Sequence, residues 1–145
     1  MFRNPLFFLV VAIGLFYAIR HGNRAKKKIL EIQKDSGSLK QAYLRSHLFY
    51  GLENRNTGFD APSICYFSAT DFEKILDRAE HLGIGILGIE PWLDGEFYDV
   101  LVCEDFGKDP YDPSWYRAAF TKFKSNGKAL TFSATYAVPK EFLSK

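Results

Sequence analysis

The sequence predicts an α+β fold: a small antiparallel sheet with helices packed on one face, preceded by a single N-terminal transmembrane helix. Three observations carry this. Residues Asn4 to Ile19 form a run of sixteen uncharged residues between Arg3 and Arg20. Two apolar stripes of helical period, Phe72-Ile75-Leu76-Ala79-Leu82 and Trp115-Tyr116-Ala119-Phe120-Phe123, lie on either side of strand-like segments. Between those segments Asp94-Gly95 is a hairpin turn signal. The expected division is 1–20 as a membrane anchor, 21–60 as a basic helical linker and 61–145 as the α+β domain.

The first segment is short for a span. Sixteen residues at 1.5 Å rise cover about 24 Å of a bilayer core of roughly 30 Å, a deficit that Arg3 and Arg20 partly cover by snorkelling. Two alternatives stay open. A signal-peptide apolar region has this length, but no small-x-small cleavage site follows, and Arg20, Arg24, Lys26, Lys27 and Lys28 oppose export. A buried core helix is the other, although the run is apolar on every side. One base precedes the segment and five follow within nine residues, so the positive-inside rule gives a single pass in the inner membrane. The lipid bilayer is thus an expected partner of residues 4–19, with the C-terminal domain in the cytoplasm. Cys65 and Cys103 are the only cysteines, which excludes a disulfide framework and suits a reducing compartment. The basic cluster has no interleaved aromatic residues, so no direct nucleic-acid binding is expected.

Further along, Arg24 to Lys34 continues as helix. Gly37 ends it, and Ser38 with Gln41 caps a second helix to about Leu52. Glu53 to Gly58 is a loop by its Asn and Gly content, and Ile64 to Phe67 a short strand. Thr70 and Glu73 form a capping box for the helix that Gly83 stops. Ile84 to Ile89 is a buried strand, Pro91 to Gly95 a turn, and Phe97 to Glu104 its antiparallel partner. Asp112-Pro113 starts the next helix as N-cap and first-turn proline, and Asn126-Gly127 closes it. Ala129 to Val138 alternates as a half-buried strand should.

Charge is distributed unevenly. The whole chain of 145 residues carries a net +2, yet residues 20 to 45 carry eight bases against two acids. From Glu90 to Asp112 there are eight acids against Lys108 alone. That asymmetry separates two faces for two partners. The acidic stretch holds the candidate partner-binding residues Glu90, Trp92, Asp94, Glu96, Tyr98, Asp99, Glu104, Asp105, Asp109 and Tyr111. Carboxylates interleaved with Trp and Tyr suit a basic protein, because the acids steer its approach and the rings anchor it. A solvated face that merely balances the basic region is the competing reading, and calcium is a third, without the alternating ligand spacing of an EF-hand.

At the helix-to-strand junction Gly83, Ile86, Leu87, Gly88, Ile89, Glu90 and Trp92 form a segment that resembles the small immunity proteins of tRNA-cleaving colicin-type nuclease toxins. The order of elements from about Asp71 to Val138 resembles theirs too. The resemblance implies a stoichiometric inhibitor whose acidic surface occupies the cleft of a basic nuclease. Residues 1 to 70 depart from that family's pattern, which has no anchor.

Enzyme chemistry is not expected. His21, His47 and His81 lack metal-ligand spacing, and neither cysteine sits in a nucleophile motif. Gly83, Gly85 and Gly88 spell G-x-G-x-x-G, but inside a strand instead of between strand and helix. No cofactor or metal is expected. Two readings follow: a protein-binding module that inhibits a basic toxin, or a membrane-tethered structural or adaptor protein with neither inhibitory nor catalytic activity.

Overall fold

Residues 37–144 are described by a computed structural model, and the expected anchor (4–19), the basic cluster and the helix at 24–34 lie outside them. Among the described residues no helix is long and apolar enough to cross a membrane. Residues 42–144 lie in one compact unit, an α+β domain with a small antiparallel sheet, entered by a helix that begins at residue 37. Its elements are a helix at residues 37–47 (α1), β1 (Phe67–Ser68), α2 (Ala69–Leu82), β2 (Gly85–Leu93), β3 (Glu96–Phe97), β4 (Leu101–Val102), α3 (Pro113–Lys124), β5 (Thr131–Ala137) and α4 (Lys140–Leu143). The sheet runs β1-β5-β2-β3, with β4 also on β2, and every pairing is antiparallel.

Phe132 on β5 marks the core. It stacks on Phe72 of α2 at 5.2 Å between ring centroids and meets Phe120 of α3 edge-on at 5.1 Å. Both helices therefore cover the same face of the sheet. Cross-strand pairing sets Pro91 opposite Phe132 and Ile89 opposite Ala134, so strand alternation puts these side chains on the helical face. Glu90 and Trp92 are thereby sent to the other face, opposite Ser133 and Thr131. A register shift between Ile86 and Gly88 leaves Leu87 as an extra residue, which lets both Ile86 and Ile89 be buried though they are three apart.

Two helices differ from expectation at one end. The second helix ends at His47 instead of Leu52. The helix α2 starts earlier than Thr70, because the Ser68 hydroxyl accepts the Asp71 N–H at 3.2 Å and caps it. Its end is as expected: Gly83 takes φ 73° and its N–H reaches the Ala79 carbonyl.

The largest departure lies at Pro91. A turn was expected from Pro91 to Gly95, yet β2 continues through Pro91 to Leu93 and only Asp94 and Gly95 form the turn. Both have positive φ, 51° and 76°, as a two-residue type I′ hairpin requires. Proline is tolerated inside β2 because the partner strand bulges there. The N–H groups of Tyr98 and Asp99 both donate to the Pro91 carbonyl, at 3.1 and 3.4 Å. That bulge also splits the strand expected at 97–104 into β3 and β4, and Cys103–Phe106 forms a 3₁₀ turn.

Candidate functional site

The second face of the sheet, away from the helices, is crossed by the loop from Glu53 to Tyr66. Side-chain amides fold this loop into a strap. The Asn54 Oδ1 accepts the N–H groups of Asn56 and Tyr66, each at 3.0 Å. The Asn56 Nδ2 donates to the Ala61 and Ile64 carbonyls at 3.0 and 2.8 Å, and its Oδ1 accepts from Gly58 at 3.1 Å. So shaped, the strap lays Phe59 and Tyr66 on Trp92, with centroids 5.4 and 5.3 Å apart. An added Cβ at Gly95 would lie 3.3 Å from the Phe59 Cβ, which places the strap against the hairpin tip.

Polar groups gather around these rings. The Trp92 Nε1–H donates to the Glu90 Oε1 at 2.6 Å, and the Ser133 hydroxyl donates to the Glu90 carbonyl at 3.4 Å. The Tyr66 hydroxyl donates to the Asp60 Oδ2 at 2.5 Å. Burial raises the Glu90 carboxyl above its ordinary value and the Asp60 charge adds to that, while the Trp92 hydrogen bond opposes both. Burial and the bond to Asp60 push the Tyr66 phenol up as well.

The expected site residues fall into two groups. Glu90, Trp92, Asp94, Glu96, Tyr98 and Asp99 lie at the hairpin end of β2. Glu104, Asp105, Asp109 and Tyr111 lie beside its start, where the Ile86 N–H donates to the Pro110 carbonyl at 2.9 Å. At about 3.3 Å per residue the two ends of β2 are roughly 26 Å apart, which sets Asp94 and Glu96 at the tip well away from the residues beside the start, while Glu90 and Asp99 lie between.

The two groups also differ in what their carboxylates do. At the start of β2 the acids serve their neighbours: Asp105 accepts the Val102 N–H at 2.9 Å and Asp109 the Tyr111 N–H at 2.8 Å. Glu104 accepts from the Cys103 thiol at 3.3 Å, and the neighbouring Asp112 caps α3 through the Ser114 N–H at 2.9 Å. Tyr111 remains 47% exposed. At the hairpin, Asp94 and Glu96 are exposed and make no hydrogen bond or ion pair among the described residues. Asp99 accepts only from its neighbour, the Val100 N–H at 2.8 Å. Tyr98 is taken up internally, accepting from Asn126 Nδ2 at 3.3 Å with Lys128 Nζ 5.0 Å from its ring centroid.

Residues outside the expected set join the hairpin end. Phe97 is 49% exposed and meets Trp92 edge-on at 6.5 Å. Phe59, Asp60, Tyr66 and Ser133 complete the surroundings of Glu90 and Trp92. Phe97 was visible among the interleaved aromatics, whereas nothing local in the sequence ties Asp60 to a residue thirty positions later. Among the described residues no group of three or more His, Cys, Asp or Glu is placed to hold a metal ion. Compared with protein-family models, curated proteins and solved structures, the chain matches none.

Proposed function

We propose that the chain is a membrane-anchored cytoplasmic module that binds a basic protein through the hairpin end of its sheet. The observation that carries this reading is the pair Asp94 and Glu96, two exposed carboxylates without a partner among the described residues, set around the half-exposed ring of Phe97. Unpaired charge attracts and orients a basic partner, and an exposed aromatic ring gives it apolar area to bury. The resemblance of residues 83–92 to immunity proteins of tRNA-cleaving toxins makes a basic nuclease toxin the partner of choice and inhibition the outcome. Residues 4–19 supply the anchor in this reading, at the inner membrane.

A panel of colicin-type tRNA-cleaving domains, each mixed with the full chain while tRNA cleavage is followed, tests the proposal. One-to-one inhibition of a panel member is expected, and D94N/E96Q/D99N should abolish it. Cleavage unaffected across the panel sinks the toxin reading. The alternative, a membrane-tethered structural or adaptor protein without inhibitory activity, is favoured by Asp105, Asp109 and Asp112, whose carboxylates are spent on backbone caps.

A further inference from the structure

We infer that the strap from Glu53 to Tyr66 is a proton-operated clasp, held to the sheet when the Glu90 carboxyl beneath it carries a proton and loosened when that carboxyl is ionised. The clasp requires no partner and stands apart from the proposed function. Its geometry has three parts. Asp60 rides on the strap and is bound by the Tyr66 hydroxyl at 2.5 Å, whereas Glu90 belongs to β2 and is bound by the Trp92 indole at 2.6 Å. The two rings that hold these carboxylates touch, with centroids 5.3 Å apart. Among the described residues the groups around Glu90 are Asp60 and Tyr66 from the strap, Trp92 from β2 and Ser133 from β5, and none of these is a cation. Arg55, the base on the strap itself, is 3.4 Å from Glu53 instead.

An ionised Glu90 under this aromatic cover is disfavoured by its burial and by the nearby Asp60 charge. The closed strap therefore raises the proton affinity of Glu90, by burial first and by the Asp60 charge second. The sign follows from linkage: closure is favoured as pH falls through that raised value and opposed as pH rises above it. Apolar contact of Phe59 with Trp92 and the Asn54 and Asn56 bonds act at every pH. The proton thus tilts a closed–open balance and does not create it.

Amide hydrogen exchange of the full chain, corrected for the intrinsic rate at each pH, tests the clasp. Protection of residues 53–66 in the wild type should fall roughly three- to fivefold between pH 4.5 and 7.5, the range for a weak charge–charge interaction. Protection of α2 and β5 should not change, which separates strap opening from unfolding. Glu90→Gln keeps the shape and should hold the strap at its acid-level protection at both pH values. Asp60→Asn, which still accepts from Tyr66, should lessen the pH dependence without abolishing it, because the burial of Glu90 remains. Strap protection independent of pH in the wild type overturns the clasp, and so does a pH dependence that survives in Glu90→Gln. The hairpin acids Asp94, Glu96 and Asp99 remain intact in both variants. Loss of the clasp and loss of partner binding are therefore distinguishable.

Discussion

Phe132 is the residue on which the core converges. Its ring meets Phe72 and Phe120 within 5.2 Å and Phe123 at 6.4 Å, so truncation would open a cavity lined by three aromatic rings. Phe132→Ala should cost about 3–5 kcal/mol in urea unfolding, near the whole stability of a domain this size. Asp112 offers a pH test at the same scale. Its bonds to Ser114, with Lys108 nearby, hold the carboxyl below its usual value. A group depressed in the folded state stabilises above its unfolded pKa and loses that effect as pH falls through the folded one. Asp112→Asn should therefore flatten the acid limb of the stability curve below about pH 4, as read by thermal melts across that range. These residues were legible in advance: Asp112-Pro113 is a cap in sequence, and Phe132 sits on an alternating strand. Glu90 reads in sequence as an acid after a strand, whereas it lies within β2 and is half-buried. That state depends on Phe59 and Tyr66, which reach it only after the chain has folded back over the sheet.

The elements divide along the same line. The helices α2 and α3 and the strand β5 follow from apolar period and from caps that lie within a few residues, so their existence and faces could be read locally. The span of β2 could not, because Pro91 signals a turn to any local reading. Only the bulge at Tyr98 and Asp99, on another strand, makes room for a proline there. The strand expected at 97–104 failed for the same reason, since pairing with β2 decides where it is broken. Between α2 and α3 the Arg117 guanidinium bridges Asp77 at 2.9 Å and also pairs with Glu80. All three side chains are partly exposed, so Arg117→Ala should change stability by no more than about 1 kcal/mol, and less in high salt. Removing the α2 cap should matter as much from a single hydroxyl. Ser68→Ala is expected to cost about 1 kcal/mol in denaturant titration, with no change in the sheet seen by circular dichroism.

At the scale of the molecule the sheet has two faces with separate duties. One carries the helices and the aromatic core. The other carries the strap, and at its hairpin end the carboxylates of Asp94 and Glu96 have no partner among the described residues. The acidic stretch that reads as one patch along the sequence is spread along β2 in space, with the hairpin paired at Trp92 and Leu93 and the strand before the 3₁₀ turn paired at Gly88 and Ile89. The far region spends its acids on capping, which leaves the hairpin end as the surface with charge to offer. Calorimetric titration of the full chain into a basic tRNA-cleaving toxin domain, the proposed partner, tests this most directly. Asp94→Asn with Glu96→Gln and Asp99→Asn should weaken binding on the order of tenfold or more and flatten its dependence on salt. Glu104→Gln, at the other end of β2, should leave both unchanged. Equal affinity in the hairpin variant, or a loss in Glu104→Gln as large as in the triple replacement, would contradict a binding site at the hairpin end.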